Sequence, residues 1–94
     1  MNVKVHSIHF DADSKLISFI EDKISKLDQY YDNIIASEVY LKIDKDKVNG
    51  NKVAEIRMIT PGKELFAKKQ CKSFEEATDH ATEALRRQIK KKKG

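Results

Sequence analysis

The chain has 94 residues, of which 39% are hydrophobic and 36% are charged, and its formal net charge is +4. This length predicts one domain with a modest core and leaves no room for two domains of ordinary size. No apolar run approaches the roughly 20 residues of a membrane-spanning helix, and the polar–apolar alternation of residues 1–10 argues against a secretory signal. We therefore expect a cytoplasmic protein without a membrane partner.

The positive charge is concentrated at one end of the chain. Six of the 19 basic residues lie in the last nine positions, and the 13 that remain are outnumbered by 15 acidic residues. These six are Arg86, Arg87, Lys90, Lys91, Lys92 and Lys93. A local basic cluster attracts polyanions, so the charge distribution is the first indication of a nucleic-acid ligand.

The N-terminal third predicts a strand followed by a helix. Residues 2–8 alternate polar and apolar side chains around Val3 and Val5, which is typical of a half-buried strand. Asp13 is the candidate N-cap of a helix that we expect to reach about Tyr31. The apolar positions of this helix step by four and three and form one stripe. They are Leu16, Ile20, Ile24, Leu27 and Tyr31.

Three strand-like runs occupy the middle of the chain, separated by turn signals at Asn49-Gly50 and Pro61-Gly62. The third run covers residues 64–72. Each run predicts one apolar face because its hydrophobic residues recur at every second position. The inward-facing sets are Val39, Leu41 and Ile43, then Ala54, Ile56 and Met58, then Leu65, Ala67 and Cys71.

A second helix completes the chain. Ser73 and Glu76 have the spacing of a capping box at its start. Its apolar side carries Phe74, Ala77, Ala81, Leu85, Gln88 and Ile89. The element order β-α-β-β-β-α predicts an α+β fold of two layers. The first two strands are parallel neighbours in a four-stranded mixed sheet, and both helices cover one face.

The sequence lacks the motifs of common catalytic sites. It contains no glycine-rich phosphate loop, no HExxH, no nucleophile elbow and no paired metal-ligand spacing. Cys71 is the only cysteine, and we interpret it as a half-buried strand residue rather than a redox or metal ligand. His80 is interpreted as a solvated histidine. We therefore expect no enzymatic activity, no cofactor, no metal site and no small-molecule substrate.

The first helix carries a candidate nucleic-acid strip beside its core stripe. Helical stepping places Lys23 and Lys26 between Phe19 and Tyr30 on one flank. Lysines can meet phosphates and aromatic rings can stack on bases or riboses. The alternative is that Phe19 widens the core and the lysine stems cover apolar surface.

The end of the second helix carries the larger cationic cluster. Arg86, Arg87 and Lys90 lie opposite the core stripe, and Lys91 lies at its edge on the side of Arg87. The helix dipole favours cations here by about 0.3–1 kcal/mol each, which accounts for one or two of them. Lys92 and Lys93 can also be a frayed, solvating tail. If the helices are neighbours, both clusters border one cationic groove suited to the backbone and shape of folded RNA.

Four stretches of the chain resemble the ribosome hibernation promoting factor family, also called the ribosome-associated inhibitor or sigma-54 modulation protein family. They are FIEDKISKLDQYYD, VYLKIDK, PGKELFA and ALRRQIKK. The resemblance covers nearly the whole chain. It implies a single ribosome-binding domain over residues 1–94, with a fold like that of double-stranded RNA-binding domains and a basic tail from about residue 90.

The resemblance also implies a function. Such proteins bind rRNA of the small ribosomal subunit in the channel for messenger and transfer RNA, block translation and preserve idle ribosomes under stress and in stationary phase. The family's basic positions match Lys23 and Lys26 in the first helix and Arg87 and Lys91 in the second. We add Arg86, Lys90 and Tyr30 to this expected RNA-binding set. The free protein is expected to be monomeric.

Some residues depart from the family pattern. Glu75 stands where relatives often carry tyrosine, and Ala84 stands where they carry lysine, which puts one rRNA contact in doubt. The chain ends at Gly94 like the short members, so ribosome pairing driven by this protein is not expected. Two other hypotheses remain open. One is a stand-alone duplex-RNA binder, and the other is a sigma-factor-binding module that uses a patch of Tyr40, Arg57 and Phe66.

Overall fold

The computed structural model describes residues 2–31 and 33–93, with side chains as far as residue 90. The elements follow the predicted order, with one 3₁₀ helix after the first α-helix. They are β1 (Asn2–Ser7), α1 (Ser14–Ser25), the 3₁₀ helix (Lys26–Gln29), β2 (Ala36–Ile43), β3 (Lys52–Thr60), β4 (Lys63–Cys71) and α2 (Phe74–Lys93).

The four strands form one mixed sheet in the order β1-β2-β3-β4. β1 and β2 are parallel, with Asn2 beside Ala36 and Ser7 beside Leu41. β2 pairs with β3, and β3 with β4, in antiparallel register. Both helices pack on the same face of the sheet and contact each other. The predicted α+β fold, with parallel first strands and two layers, is therefore confirmed.

The first helix begins as expected but changes its winding earlier. Asp13 accepts a hydrogen bond from the Leu16 N–H at 2.8 Å, which confirms it as the N-cap. The α-helix ends at Ser25, and the 3₁₀ helix follows, so the prediction of one α-helix to Tyr31 was wrong. The apolar spacing shortens from four to three residues between Ile24 and Leu27. The tighter 3₁₀ winding keeps Leu27 on the core side, where it is buried.

Tight turns join the strands where glycine allows a positive φ angle. Gly50 has φ 64° and Gly62 has φ 74°, and both predicted turns are present. Pro61 and Gly62 occupy the two residues between β3 and β4, and the Thr60 hydroxyl donates to the Lys63 carbonyl at 2.8 Å. Proline at the first central position and a left-handed glycine at the second are typical of a type II turn.

The core lies between the sheet and the two helices. Its fully buried side chains come from α1, β2, β3 and α2 and include Ile20, Ile24, Val39, Leu41, Ile56, Met58, Ala77, Ala81, Leu85 and Ile89. The predicted inward face of each strand is confirmed, except that Ile43 at the end of β2 is 38% exposed. Gln88 lies on the core side of α2 and donates a hydrogen bond to the Phe66 carbonyl of β4.

The helices are amphipathic rather than apolar all round. α2 is 20 residues long but carries charged side chains throughout its outer face. Within residues 2–31 and 33–93, no helix is both long enough and apolar enough to cross a membrane.

Replacing Ile56 by alanine tests the position of the core. Ile56 is fully buried in the central strand β3, so Ile56→Ala should lower the free energy of unfolding by about 2–5 kcal/mol. Ile35→Ala is the matched control, because Ile35 is 57% exposed and should cost roughly 0.5 kcal/mol or less. Urea denaturation measures both values. Equal losses for the two variants would contradict this core.

Candidate nucleic-acid interface

A groove of about 200 Å³ runs between α2 and the first helical segment, which consists of α1, the 3₁₀ helix and its C-cap Tyr30. Residues three, four and seven apart lie on one face of a helix, and this spacing occurs on both walls. One wall carries Lys23, Lys26, Leu27 and Tyr30, and the other carries Asp79, Thr82, Glu83 and Arg86. The fold therefore brings together Lys23, Lys26, Tyr30 and Arg86 of the predicted RNA-binding set.

Arg86 is held in place by contacts on both sides. Its guanidinium carbon lies 5.0 Å from the centre of the Tyr30 ring, and Nη1 lies 3.5 Å from Glu83 Oε2. A guanidinium over an aromatic face gains cation–π attraction and loses rotational freedom. Tyr30 thus supports the arginine across the groove. Packing against Arg86 therefore describes the role of Tyr30 in this contact better than base stacking on RNA does.

Lys23 forms an ion pair that bridges the two helices. Its Nζ lies 2.6 Å from Asp79 Oδ1 on α2 and 5.6 Å from the centre of the Phe19 ring. Phe19 is half-buried against the core, which agrees with the alternative that this residue widens the core. Lys26 is exposed, and in the described part of the chain it forms no ion pair. Lys26 is therefore the cation of the groove that is most available to a ligand.

The groove contains acids as well as bases. The cations Lys23, Lys26 and Arg86 face the carboxylates of Asp79 and Glu83, which leaves a formal local charge of about +1. The groove expected from the sequence was described by its cations, and these two acids were not placed in it. Asp79 and Glu83 are four residues apart and share one face of α2, but their spacing alone does not show that this face turns towards α1.

Arg87 lies on the other side of α2. It borders a second shallow depression with Lys69, His80, Glu83 and Ala84, towards β4. Its side chain is 76% exposed, and its Nε lies 4.0 Å from Glu83 Oε1. Neighbouring residues of a helix point about 100° apart, so Arg86 enters the groove while Arg87 does not.

The remaining predicted cations lie beyond the groove towards the end of α2. Lys90 is exposed and follows Arg86 by one helical turn. The side chain of Lys91 lies outside the described residues. The predicted role of Lys91 therefore stays a prediction, and so do the roles of Arg87 and Lys90.

The outer face of the sheet is a network of polar contacts. Arg57 and Phe66 are cross-strand neighbours, and the Tyr40 ring stacks on His6 with 4.9 Å between centroids. Three acids are interspersed on this face. Tyr40 donates to Glu38, Lys42 pairs with Glu55, and Arg57 pairs with Glu64. The patch of Tyr40, Arg57 and Phe66 is therefore centred on charge, and only Phe66 presents a large exposed apolar surface.

Cys71 is half-buried at the end of β4 and packs against the core. Burial, followed by the negative charge of Glu76, raises the pKa of its thiol above the ordinary value. The free protein therefore holds a protonated thiol near neutral pH, which is a weak nucleophile.

The model of the family described as sigma 54 modulation protein / S30EA ribosomal protein matches residues 3–94. The chain belongs to this family. The members of this family are ribosome-associated hibernation and subunit-interface factors. The family is not a known enzyme family. The resemblance inferred from the sequence is thus confirmed.

Two solved structures share the whole fold. The N-terminal domain of Protein Y from Thermus thermophilus is 25% identical, with a TM-score of 0.83, over 97% of this chain and 98% of that one. A ribosomal subunit interface protein from Coxiella burnetii is 20% identical, with a TM-score of 0.87, over 99% of this chain and 98% of that one. Curated protein sequences gave no significant match.

The Tyr40–Glu38 hydrogen bond provides a test of the outer face. The hydroxyl donates to the carboxylate at 2.8 Å, and this bond is the main cause of a raised Tyr40 pKa. A raised pKa in the folded state favours folding below the ordinary tyrosine value of 10.0, and this contribution is lost as the pH rises through the folded pKa. In Glu38→Gln, we expect the Tyr40 pKa to fall back towards 10.0.

NMR titration of the Tyr40 ring carbon measures this shift. Glu64→Gln is the matched control, because Glu64 lies on the same face but pairs with Arg57. It should leave the Tyr40 titration in place. A Tyr40 pKa that does not move in Glu38→Gln would show that the hydrogen bond is absent in solution.

Proposed function

We propose that the protein silences ribosomes by binding rRNA of the small subunit near the decoding channel, where it blocks messenger and transfer RNA. Family membership supports the ribosome as the partner. The observation that carries the proposal is the groove that collects Lys23, Lys26 and Arg86 between the two helical segments. Cations gathered in one groove suit the phosphates of folded RNA.

The groove is prepared for phosphate contact in two different ways. Arg86 is already oriented by Tyr30 and Glu83, so less side-chain freedom is lost when its planar donors meet a phosphate. Lys26 is exposed and forms no ion pair with another described residue, so its side chain can adapt to the phosphate position. Lys23 must exchange Asp79 for a phosphate, which makes its contribution smaller.

RNA would be recognised through its backbone and shape. One face of the Tyr30 ring is covered by Arg86, although the residue is 41% exposed, and Phe19 is half-buried, so the groove meets RNA mainly through its cations. The exposed Arg87 and Lys90 extend the positive field along α2. Such binding releases counterions and depends on salt.

Paired cation removals test the groove against the opposite face of the sheet. Lys26→Ala/Arg86→Ala should weaken co-sedimentation with purified small ribosomal subunits. The slope of log affinity against log salt should decrease by about 1 for each phosphate that the variant no longer neutralises. Lys68→Ala/Arg57→Ala is the matched control, because it also removes one lysine and one arginine paired with a glutamate, but on the outer face.

Each outcome of this experiment assigns the binding surface. Weaker binding by the groove variant alone supports the proposal, and Lys26→Ala alone keeps the test valid if Arg86 proves necessary for folding. Weaker binding by the outer-face variant alone would assign binding to the sheet and favour the protein-interaction hypothesis. Equal affinity of the wild type for short RNA duplexes and for subunits would favour a stand-alone duplex-RNA binder.

Removing the acid that pairs with Lys23 should have the opposite effect. Asp79→Asn frees Lys23 and removes one negative charge from the groove. We expect subunit binding to tighten about three- to tenfold at low salt, with a smaller gain at high salt because of screening. Asp46→Asn in the exposed β2–β3 loop is the control for net charge. Weaker binding by Asp79→Asn would mean that phosphates do not enter this groove.

A further inference from the structure

Three different metal-ligating side chains meet on the β4 side of α2, away from the groove. Cys71 ends β4, and Glu76 and His80 lie on the first turns of α2. One donor atom of each residue lies within 4.8 Å of the other two. The Cys71 sulfur and His80 Nδ1 are 3.9 Å apart.

The fold produces this cluster through one short connection. Two residues, Lys72 and Ser73, separate the end of β4 from the start of α2. The Ser73 hydroxyl accepts a hydrogen bond from the Glu76 N–H at 3.1 Å, which fixes the first turn of the helix. Glu76 and His80 are four residues apart and therefore share one face, which is turned towards Cys71. The three positions do not form a familiar metal motif in the sequence.

The Cys71–His80 distance is close to the separation of two ligand atoms on a small tetrahedral ion. With bonds of roughly 2.3 Å to sulfur and 2.0–2.1 Å to nitrogen, the two ligand atoms lie roughly 3.6 Å apart. The observed 3.9 Å therefore needs only a small side-chain adjustment. Thiolate, imidazole and carboxylate together suit borderline metals such as Zn²⁺ rather than Mg²⁺ or Ca²⁺.

We propose that Cys71, Glu76 and His80 bind a Zn²⁺-like divalent transition-metal ion, with a fourth position left to water. The ion would connect the end of β4 to the first turns of α2. The site is partly exposed, and Lys69 and Arg87 lie nearby on the same side of the molecule. Both cations oppose a bound metal, so binding is moderate in strength and reversible. This inference is independent of the proposed ribosome function.

Cobalt binding tests the site directly. The cysteine of the full chain is kept reduced by a phosphine that does not compete for the metal. Co²⁺ is then added, and the thiolate-to-cobalt absorption band in the near ultraviolet is recorded. Zn²⁺ should then displace the cobalt and abolish the band. Zn²⁺ should also raise the melting temperature, because a ligand bound only to the folded state stabilises that state.

Variants assign the ligands. Cys71→Ser should abolish the band, and His80→Gln or Glu76→Gln should weaken binding roughly tenfold or more. His9→Gln and Glu75→Gln are the matched controls, since they remove an exposed histidine and an exposed glutamate outside the cluster, and they should bind as the wild type does. His80 and Glu76 are exposed, so their variants keep the test valid if Cys71→Ser fails to fold.

Two results would overturn the site. The first is the absence of a thiolate band in the wild type with Co²⁺ in excess. The second is unchanged cobalt affinity in both His80→Gln and Glu76→Gln, which would show that the cysteine alone attracts the ion.

Discussion

Two helical segments share one face of a four-stranded sheet, and the burial of that shared face positions the other features of the molecule. Ile20 and Ile24 of α1 and Leu85 and Ile89 of α2 fill the space above β2 and β3. Alanines at positions 77 and 81 are fully buried and let α2 lie close to the strands. Because both helices pack on the same core, the edges of their solvent-facing surfaces adjoin. The candidate RNA-binding groove is that meeting line.

The groove combines attraction for a polyanion with internal compensation. Lys23 and Arg86 each have an acidic neighbour, while Lys26 has none within the described residues. Exposed ion pairs contribute little to folding, typically about 0–1 kcal/mol, so the acids are not needed to hold the helices together. Their larger effect is on the potential that an approaching phosphate meets. Such a groove favours binding that salt and competing RNA can reverse.

The strand faces, both turns and the two helix starts followed from local patterns, because period, capping and turn chemistry are read over a few residues. The change to 3₁₀ winding at Lys26 was missed, because the step of three from Ile24 to Leu27 fits an α-helix as well as a 3₁₀ helix. The separation of Arg86 from Arg87 could not be predicted. It depends on which shoulder of α2 faces α1, and packing against the sheet decides that. The Cys71–His80 proximity also required the chain reversal after β4.

Glu83 lies between the groove and the β4 side of α2 and contacts an arginine on each side. One of its carboxylate oxygens lies near Arg86 in the groove, and the other lies near Arg87 on the β4 side. A phosphate that draws Arg86 forward would weaken that ion pair and leave the carboxylate to Arg87. A cation held at Cys71, Glu76 and His80 would instead increase the positive potential beside Arg87. The two proposed sites would therefore act on the same short segment of α2 through charge, even though they open on opposite sides of the helix.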